Sequence, residues 1–264
     1  TVLNDIDHLL KHLRRWMKPS RAGVGWRFLP ARAQVRPVPV GVVGVIAPWN
    51  YPVNLSLIPL ATAIAAGNHV YLKPSEHTPK TSQFLRELLA EVFPPDRVAV
   101  ATGGAEIGAA FAGLPFDHLV FTGSTAVGRK VMAAAAPNLT PLTLELGGKS
   151  PALIADDYPI ERAAARIATG KWFNGGQTCI APDYVLVPKG KRDALVKALR
   201  AEVLARYGEH FENVGDYARI INDGQFARLK GYLDDAKQRG IEKVTLAGHA
   251  DPAQRLMPPT LLLD

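Results

Sequence analysis

The sequence predicts an α/β protein built on a mostly parallel sheet. Three observations carry this. From residue 41 onward, short apolar runs alternate with helix-length amphipathic segments four times in succession. The apolar runs are continuous rather than alternating, as in strands covered on both faces. Each run also ends in a cluster of polar residues or glycine, and ligands bind at the carboxyl ends of strands in such sheets.

The elements follow in order. Ile6, Leu9, Leu10, Leu13 and Met17 recur at helical spacing, and Pro19 stops the helix, so residues 1–20 read as the end of a helix. Residues 21–40 show no period and carry Pro30, Pro37 and Pro39, which suggests an extended arm or edge strand leaving the main body. The first strand is Gly41 to Ile46, followed by the turn Pro48-Trp49-Asn50-Tyr51-Pro52 and a helix from Leu55 to Ala66 that Gly67-Asn68 ends. His69 to Leu72, Val98 to Ala101 and His118 to Phe121 are further strands. Helices follow them over Thr81 to Phe93, from Glu106, and from Thr125 to about Ala136. Leu142 and Leu144 alternate with Thr143 and Glu145, as at a strand tip before Gly147-Gly148. A helix from Ile160 to about Phe173 leads into Cys179. After it come a strand at Tyr184 to Val187, helices at Lys191 to Tyr207 and Gln225 to Gln238, and strands at Val244 to Leu246 and Thr260 to Leu263.

Composition narrows the functional classes. Of 264 residues, 47% are hydrophobic and 21% charged, which is ordinary for a globular protein. No apolar run reaches membrane-spanning length, and the start of the chain does not resemble a secretory signal. The net charge of +7 raises the question of nucleic acid, yet the Lys and Arg residues are scattered and no RNA- or DNA-binding motif is present. A solvated basic surface or a site for an anionic small molecule fits better. The seven histidines show no metal-ligand spacing, so no metal is expected.

Cys179 is the only cysteine, so it makes no internal disulfide, and it suits a reducing compartment; a cytoplasmic location is expected. It is either buried filler or a reagent. Asn174, Gly175, Gly176, Gln177 and Thr178 stand where a core helix would carry apolar residues, which favours a reagent in an open turn. Glu145 beside a Gly-Gly turn is either a surface glutamate or a functional one. Gly123-Ser124-Thr125-Ala126-Val127-Gly128 has the G-x-x-x-x-G spacing of a phosphate loop, but Arg129 and Lys130 replace the Lys and hydroxyl that such a loop requires. A helix start offering backbone N–H groups to a pyrophosphate remains.

Five stretches in one order carry a family resemblance: Pro48 to Pro52, Leu72-Lys73-Pro74-Ser75-Glu76, Phe121-Thr122-Gly123-Ser124-Thr125, Leu144 to Pro151, and Gly176-Gln177-Thr178-Cys179. Together they resemble the aldehyde dehydrogenase superfamily over nearly the whole chain. Gln177 to Tyr184, Tyr217 to Asn222 and Arg14 to Pro19 resemble its fatty and aromatic aldehyde branch, which includes coniferyl aldehyde dehydrogenases. The resemblance implies a Rossmann-like cofactor domain over residues 41–148 and part of a second α/β catalytic domain over 149–264, with 1–20 a helix of the cofactor domain and 21–40 an oligomerisation segment. It implies Cys179 as nucleophile, Glu145 as general base, and the Asn50 amide with the Cys179 backbone N–H as oxyanion donors. Burial beside Leu144 and Leu146 is expected to raise the Glu145 pKa.

For the cofactor, NAD with NADP possible, the resemblance places Lys73 and Glu76 at the adenosine ribose and Gly123 and Ser124 at the pyrophosphate. It adds Ile46, Ala47, Pro48, Trp49, Ser75, Gly104, Gly108, Phe121, Val127, Gly128 and Leu146, with Trp49 read as packing in preference to a stacking platform. Trp172 departs from the smaller aromatic common at its position and is expected to reshape the wall behind the nucleophile. A homodimer and an aldehyde substrate are implied. Family members are longer at both ends and carry a Glu-Glu-x-Phe-Gly-Pro stretch that this sequence lacks. The chain is therefore expected to be a portion of a longer protein, with little activity alone; a nucleotide-binding module without catalysis is the alternative.

Overall fold

The computed structural model describes residues 2–210 and 214–263, so Thr1 of the expected first helix and the terminal Asp264 lie outside the described residues. The chain divides into two compact units, Thr1–Leu146 and Gly147–Asp264.

In the first unit, α1 (Val2–Trp16) packs on α2 (Asn54–Ala65). The segment after α1 is an antiparallel pair, β1 (Ser20–Ala22) with β2 (Ala33–Val35). Five parallel strands follow: β3 (Val42–Ile46), β4 (His69–Lys73), β5 (Val98–Val100), β6 (His118–Gly123) and β7 (Leu142–Leu146). Their spatial order is β5-β4-β3-β6-β7. The chain runs outward from β3 through β4 to β5, returns to the other side of β3, and runs outward again. That reversal opens a crevice at the carboxyl ends of β3 and β6, the switch point where ligands bind in such sheets. The crossovers are α2, α3 (Pro79–Val92), α4 (Ala105–Ala112) and α5 (Thr125–Ala135).

The apolar strands bury themselves between these helices. Val43, Val45, Val70, Leu72 and Val98 form one core with Leu60 and Leu89. Phe111, Phe116, Leu119, Phe121 and Val131 form another. Gly44 sits at the centre of β3 because a Cβ there would lie 2.7 Å from the Phe116 ring. Asn68, buried after α2, accepts from the N–H groups of Val40 and Gly41 and donates to Ala63 O, which fixes where β3 starts.

The second unit begins with β8 (Ser150–Leu153), a strand the sequence reading did not anticipate. It pairs in parallel with β9 (Pro182–Leu186), with an irregularity at Ser150/Pro151. Proline is confined to edges and bulges in a ladder, and its presence hid this strand. Helices α6 (Ile160–Trp172), α7 (Arg192–Tyr207) and α8 (Asp223–Gln238) and the hairpin β10 (Glu242–Thr245) with β11 (Thr260–Leu263) complete the unit. Ala164, Ile167, Leu195, Leu199, Val203, Leu246 and Leu256 form its core. Trp172 is buried in that same core, so its extra ring volume is taken up by packing beneath the turn that leads to Cys179.

Candidate active site

In the first unit, the predicted cofactor residues collect at the carboxyl ends of the strands. Ile46 ends β3 in register with Lys73 of β4 and Phe121 of β6. Ala47 extends the ladder, its N–H donating to Lys73 O at 3.0 Å. Pro48, Trp49 and Asn50 follow, all partly buried. The Asn50 Oδ1 accepts from the Tyr51 N–H at 3.2 Å, which turns the amide oxygen onto its own backbone.

Lys73 is 3% exposed, and its Nζ donates to Glu76 Oε2 at 3.0 Å and Pro74 O at 3.2 Å. Burial alone would raise the Glu76 carboxyl pKa. The hydrogen bond from its own backbone and the Lys73 ammonium outweigh that and hold it below its ordinary 4.5. Gly108 on α4 lies against the lysine stem, where a Cβ would be 3.7 Å from Lys73 Cε, an ordinary van der Waals contact. Gly104 precedes α4, and its N–H donates to Glu106 Oε1. Ser75 is buried, with its hydroxyl accepting from the His77 N–H, so the contact it makes stabilises the Lys73–Glu76 turn.

At the tip of β6, Phe121, Gly123, Gly128 and Leu146 nest together. A Cβ on Gly123 would lie 2.5 Å from the Phe121 ring, and one on Gly128 would lie 2.9 Å from Leu146 Cδ2. The two glycines let the start of α5 settle directly on the strand ends. Ser124 caps that helix by accepting from the Val127 N–H at 3.3 Å, and residues 124–127 are exposed.

Glu145 corrects one expectation. Leu142, Leu144 and Leu146 of β7 pack toward the core, and the strand's alternation turns Thr143 and Glu145 the other way. Glu145 is exposed in this chain, so the neighbouring leucines do not bury it.

In the second unit, α6 gives way to the turn Phe173–Gly176, where Asn174 (φ 53°), Gly175 (φ 61°) and Gly176 (φ 79°) are all left-handed. Asparagine and glycine are the residues that tolerate this region, which explains the composition read from the sequence. Cys179 follows, exposed, between the largely exposed Phe173 and Ile180. Just beyond, Asp183 bridges Lys149 at 2.5 Å and Lys171 at 3.2 Å. Burial opposes its ionisation, but the hydrogen bond from Lys149 and the charge of Lys171 prevail and lower its pKa below 3.8.

Gln177 stands in a stretch that carries the family resemblance, and nothing local in the sequence assigns its side chain a role. Its Nε2 donates to Asn174 O at 3.0 Å and Arg219 O at 3.1 Å, and its Oε1 accepts from the Ile221 N–H at 3.0 Å. Among the described residues, no group of three or more His, Cys, Asp or Glu side chains could hold a metal ion.

A family model described as Aldehyde dehydrogenase family matches residues 3–264. The chain belongs to the aldehyde dehydrogenase family. The branch expected from residues 177–184 and 217–222 is the one in which similar curated proteins fall. A Pseudomonas aeruginosa protein named "Probable coniferyl aldehyde dehydrogenase" is 53% identical over 262 residues, 99% of this chain and 54% of its own length. The coniferyl aldehyde dehydrogenase of a Pseudomonas species is 45% identical over 258 residues, 96% of this chain and 53% of its own length. Among solved structures, a substrate-bound Staphylococcus aureus AldH superposes with a TM-score of 0.89 at 39% identity, over 99% of this chain and 56% of that one. A Mycobacterium tuberculosis aldehyde dehydrogenase complexed with NAD+ gives 0.86 at 31% identity, over 99% of this chain and 54% of that one. The chain thus spans about half the length of the curated relatives it matches.

Proposed function

We propose that the protein containing this chain oxidises an aldehyde to its carboxylic acid with NAD+, through a covalent adduct on Cys179. The observation that carries this reading is the exposed sole cysteine just after a left-handed turn, with exposed Phe173 before it and Ile180 after it in the sequence, in a chain of this family. The Cys179 thiolate adds to the aldehyde carbon; a C–S bond forms, and the carbonyl π pair becomes an oxyanion. The Cys179 backbone N–H and the Asn50 amide donate to that oxyanion without gaining charge.

The first unit fits a nicotinamide dinucleotide. It has a switch-point crevice, an exposed helix start at 124–127 for a pyrophosphate, and an ionised Glu76 carboxylate to accept from ribose hydroxyls. When bound, that group supplies the hydride acceptor that converts the adduct to a thioester. Glu145 then takes a proton from water, which attacks the thioester carbon; the C–S bond breaks and the thiolate is restored. Glu76 disfavours a 2′-phosphate and Lys73 offsets part of that repulsion, so NAD is favoured and NADP is accepted. Phe173 and Ile180 suit an apolar aldehyde, aromatic like coniferaldehyde or aliphatic. In the same reading, residues 21–40 are a dimer contact, because Trp26, Phe28, Leu29, Val35, Val38 and Val40 are all exposed apolar side chains.

The test is NADH formation with coniferaldehyde. The Cys179→Ser variant is expected to lose at least about a thousandfold in kcat, and a variant that keeps the parent rate overturns the reading.

A further inference from the structure

Asn174, Gly175 and Gly176 are all left-handed and end three positions before the nucleophile; glycine leaves the backbone free to adopt many other conformations, so something must hold the turn in this one. The Gln177 side chain spans that turn. Both its amide donors and its oxygen are engaged: one end on Asn174 O inside the turn, the rest on Arg219 O and the Ile221 N–H of a loop more than forty residues away. The Gln177 backbone N–H also donates to Asn174 O at 3.1 Å. The turn and the loop approach so closely that a Cβ on Gly175 would sit 2.8 Å from the Ala218 carbonyl oxygen. The loop is itself anchored on its far side. Ile220 N–H donates to Arg255 O at 3.0 Å, Arg255 Nε donates to Ile220 O at 3.0 Å, and the buried Tyr217 donates to Met257 O at 2.9 Å. Burial pushes the Tyr217 hydroxyl pKa up, so it stays protonated and keeps that bond.

We propose that Gln177 is a positioning residue for Cys179: its amide locks the left-handed turn to the 217–222 loop and thereby sets the direction of the cysteine sulfur and backbone N–H. This rests on Cys179 being the nucleophile. The residue type follows from the geometry. A glutamate would present a carboxylate to two carbonyl oxygens, and an alanine would leave those carbonyls and the Ile221 N–H without this partner. Reactivity toward a carbonyl depends on the angle and position of the sulfur, and a displacement of about 1 Å costs about a hundredfold.

Two reactions at the same sulfur separate positioning from mere exposure. Iodoacetamide alkylation forms C–S and expels iodide, and needs an accessible thiolate. Acyl transfer from p-nitrophenyl acetate forms the thioester, releases p-nitrophenolate, and needs an aimed sulfur with its oxyanion donors. The variants are Gln177→Ala and Gln177→Glu, with Cys179→Ser as blank, in the full protein. Alkylation is expected to stay within about threefold while the p-nitrophenolate burst slows about thirty- to a hundredfold. For aldehyde oxidation, kcat is expected to fall with KM within about threefold. The Gln177→Glu burst should recover relative to the parent as pH falls, because the protonated carboxyl again donates to one carbonyl. Burst and alkylation falling together, or a burst unchanged in both variants, overturns the proposal. A parent with a Cys179-dependent burst but no aldehyde oxidation defeats the dehydrogenase reading alone, and the variant bursts still decide the Gln177 proposal. A parent without the burst overturns both.

Discussion

Lys73 and Glu76 show how one ion pair serves two ends. The lysine is almost wholly buried, and a buried ammonium requires a partner; Glu76 provides it at 3.0 Å. Together with a hydrogen bond from its own backbone, the same contact holds the glutamate pKa below its ordinary 4.5, so its charge is present at neutral pH. Glu76→Gln removes the charge and keeps the shape. The ratio of NADP to NAD affinity is expected to rise about tenfold, equivalent to about 1.4 kcal/mol, read by titration with each dinucleotide. An unchanged ratio would mean that Glu76 does not face the ribose. Residue identities in this turn were legible because Lys73-Pro74-Ser75-Glu76 is a contiguous motif. The exposure of Glu145 and the partners of Gln177 were not, because the former depends on which face of β7 meets Phe121 and the latter on a loop beginning forty residues later.

At the scale of elements, β9 follows the cysteine turn in the chain and pairs with β8. The register aligns Ser150 with Pro182, which sets Lys149 beside Asp183, while α6 brings Lys171 to the same carboxylate. Exposed pairs of this kind are worth about 0–1 kcal/mol each, so their consequence is local. The Asp183 pKa is lower in the folded chain than its ordinary 3.8, so the folded state binds fewer protons. Its stabilisation is therefore complete above about pH 4 and is lost as pH falls through the folded value. Acid unfolding of the parent should be steeper below that point than that of Asp183→Asn, followed by circular dichroism; coincident acid profiles would show that the carboxylate is not linked to folding. Helices were easier to read than this pair of strands. The 3.6-residue period of α3 and α7 is written in consecutive residues, whereas Pro151 masks β8 and only its partner β9 reveals it.

Each unit of the whole molecule buries its own apolar residues, the first in two clusters and the second in one. In the second, α6 and α7 pack face to face through Ala164, Ile167, Ala168, Leu195, Leu199 and Val203. Leu199 is 2% exposed. Leu199→Ala should lower stability by about 2–5 kcal/mol, read by urea unfolding, and should speed amide exchange in α6 and α7. Exchange that stays at the parent rate would show that this contact does not hold the two helices.

The sequence by itself determined the alternation of strands and helices, the glycine-and-asparagine turn before Cys179, and the family to which the chain belongs. Each rests on short local stretches, the family on five such stretches read in order along the chain. Tertiary structure alone decided the β5-β4-β3-β6-β7 order, the pairing of β8 with β9, the exposure of Glu145 and the grip of Gln177 on residues 219 and 221. Each of these depends on how segments distant in the chain pack against one another. Local periodicity carries no information about such partners, and the packing of side chains selects them.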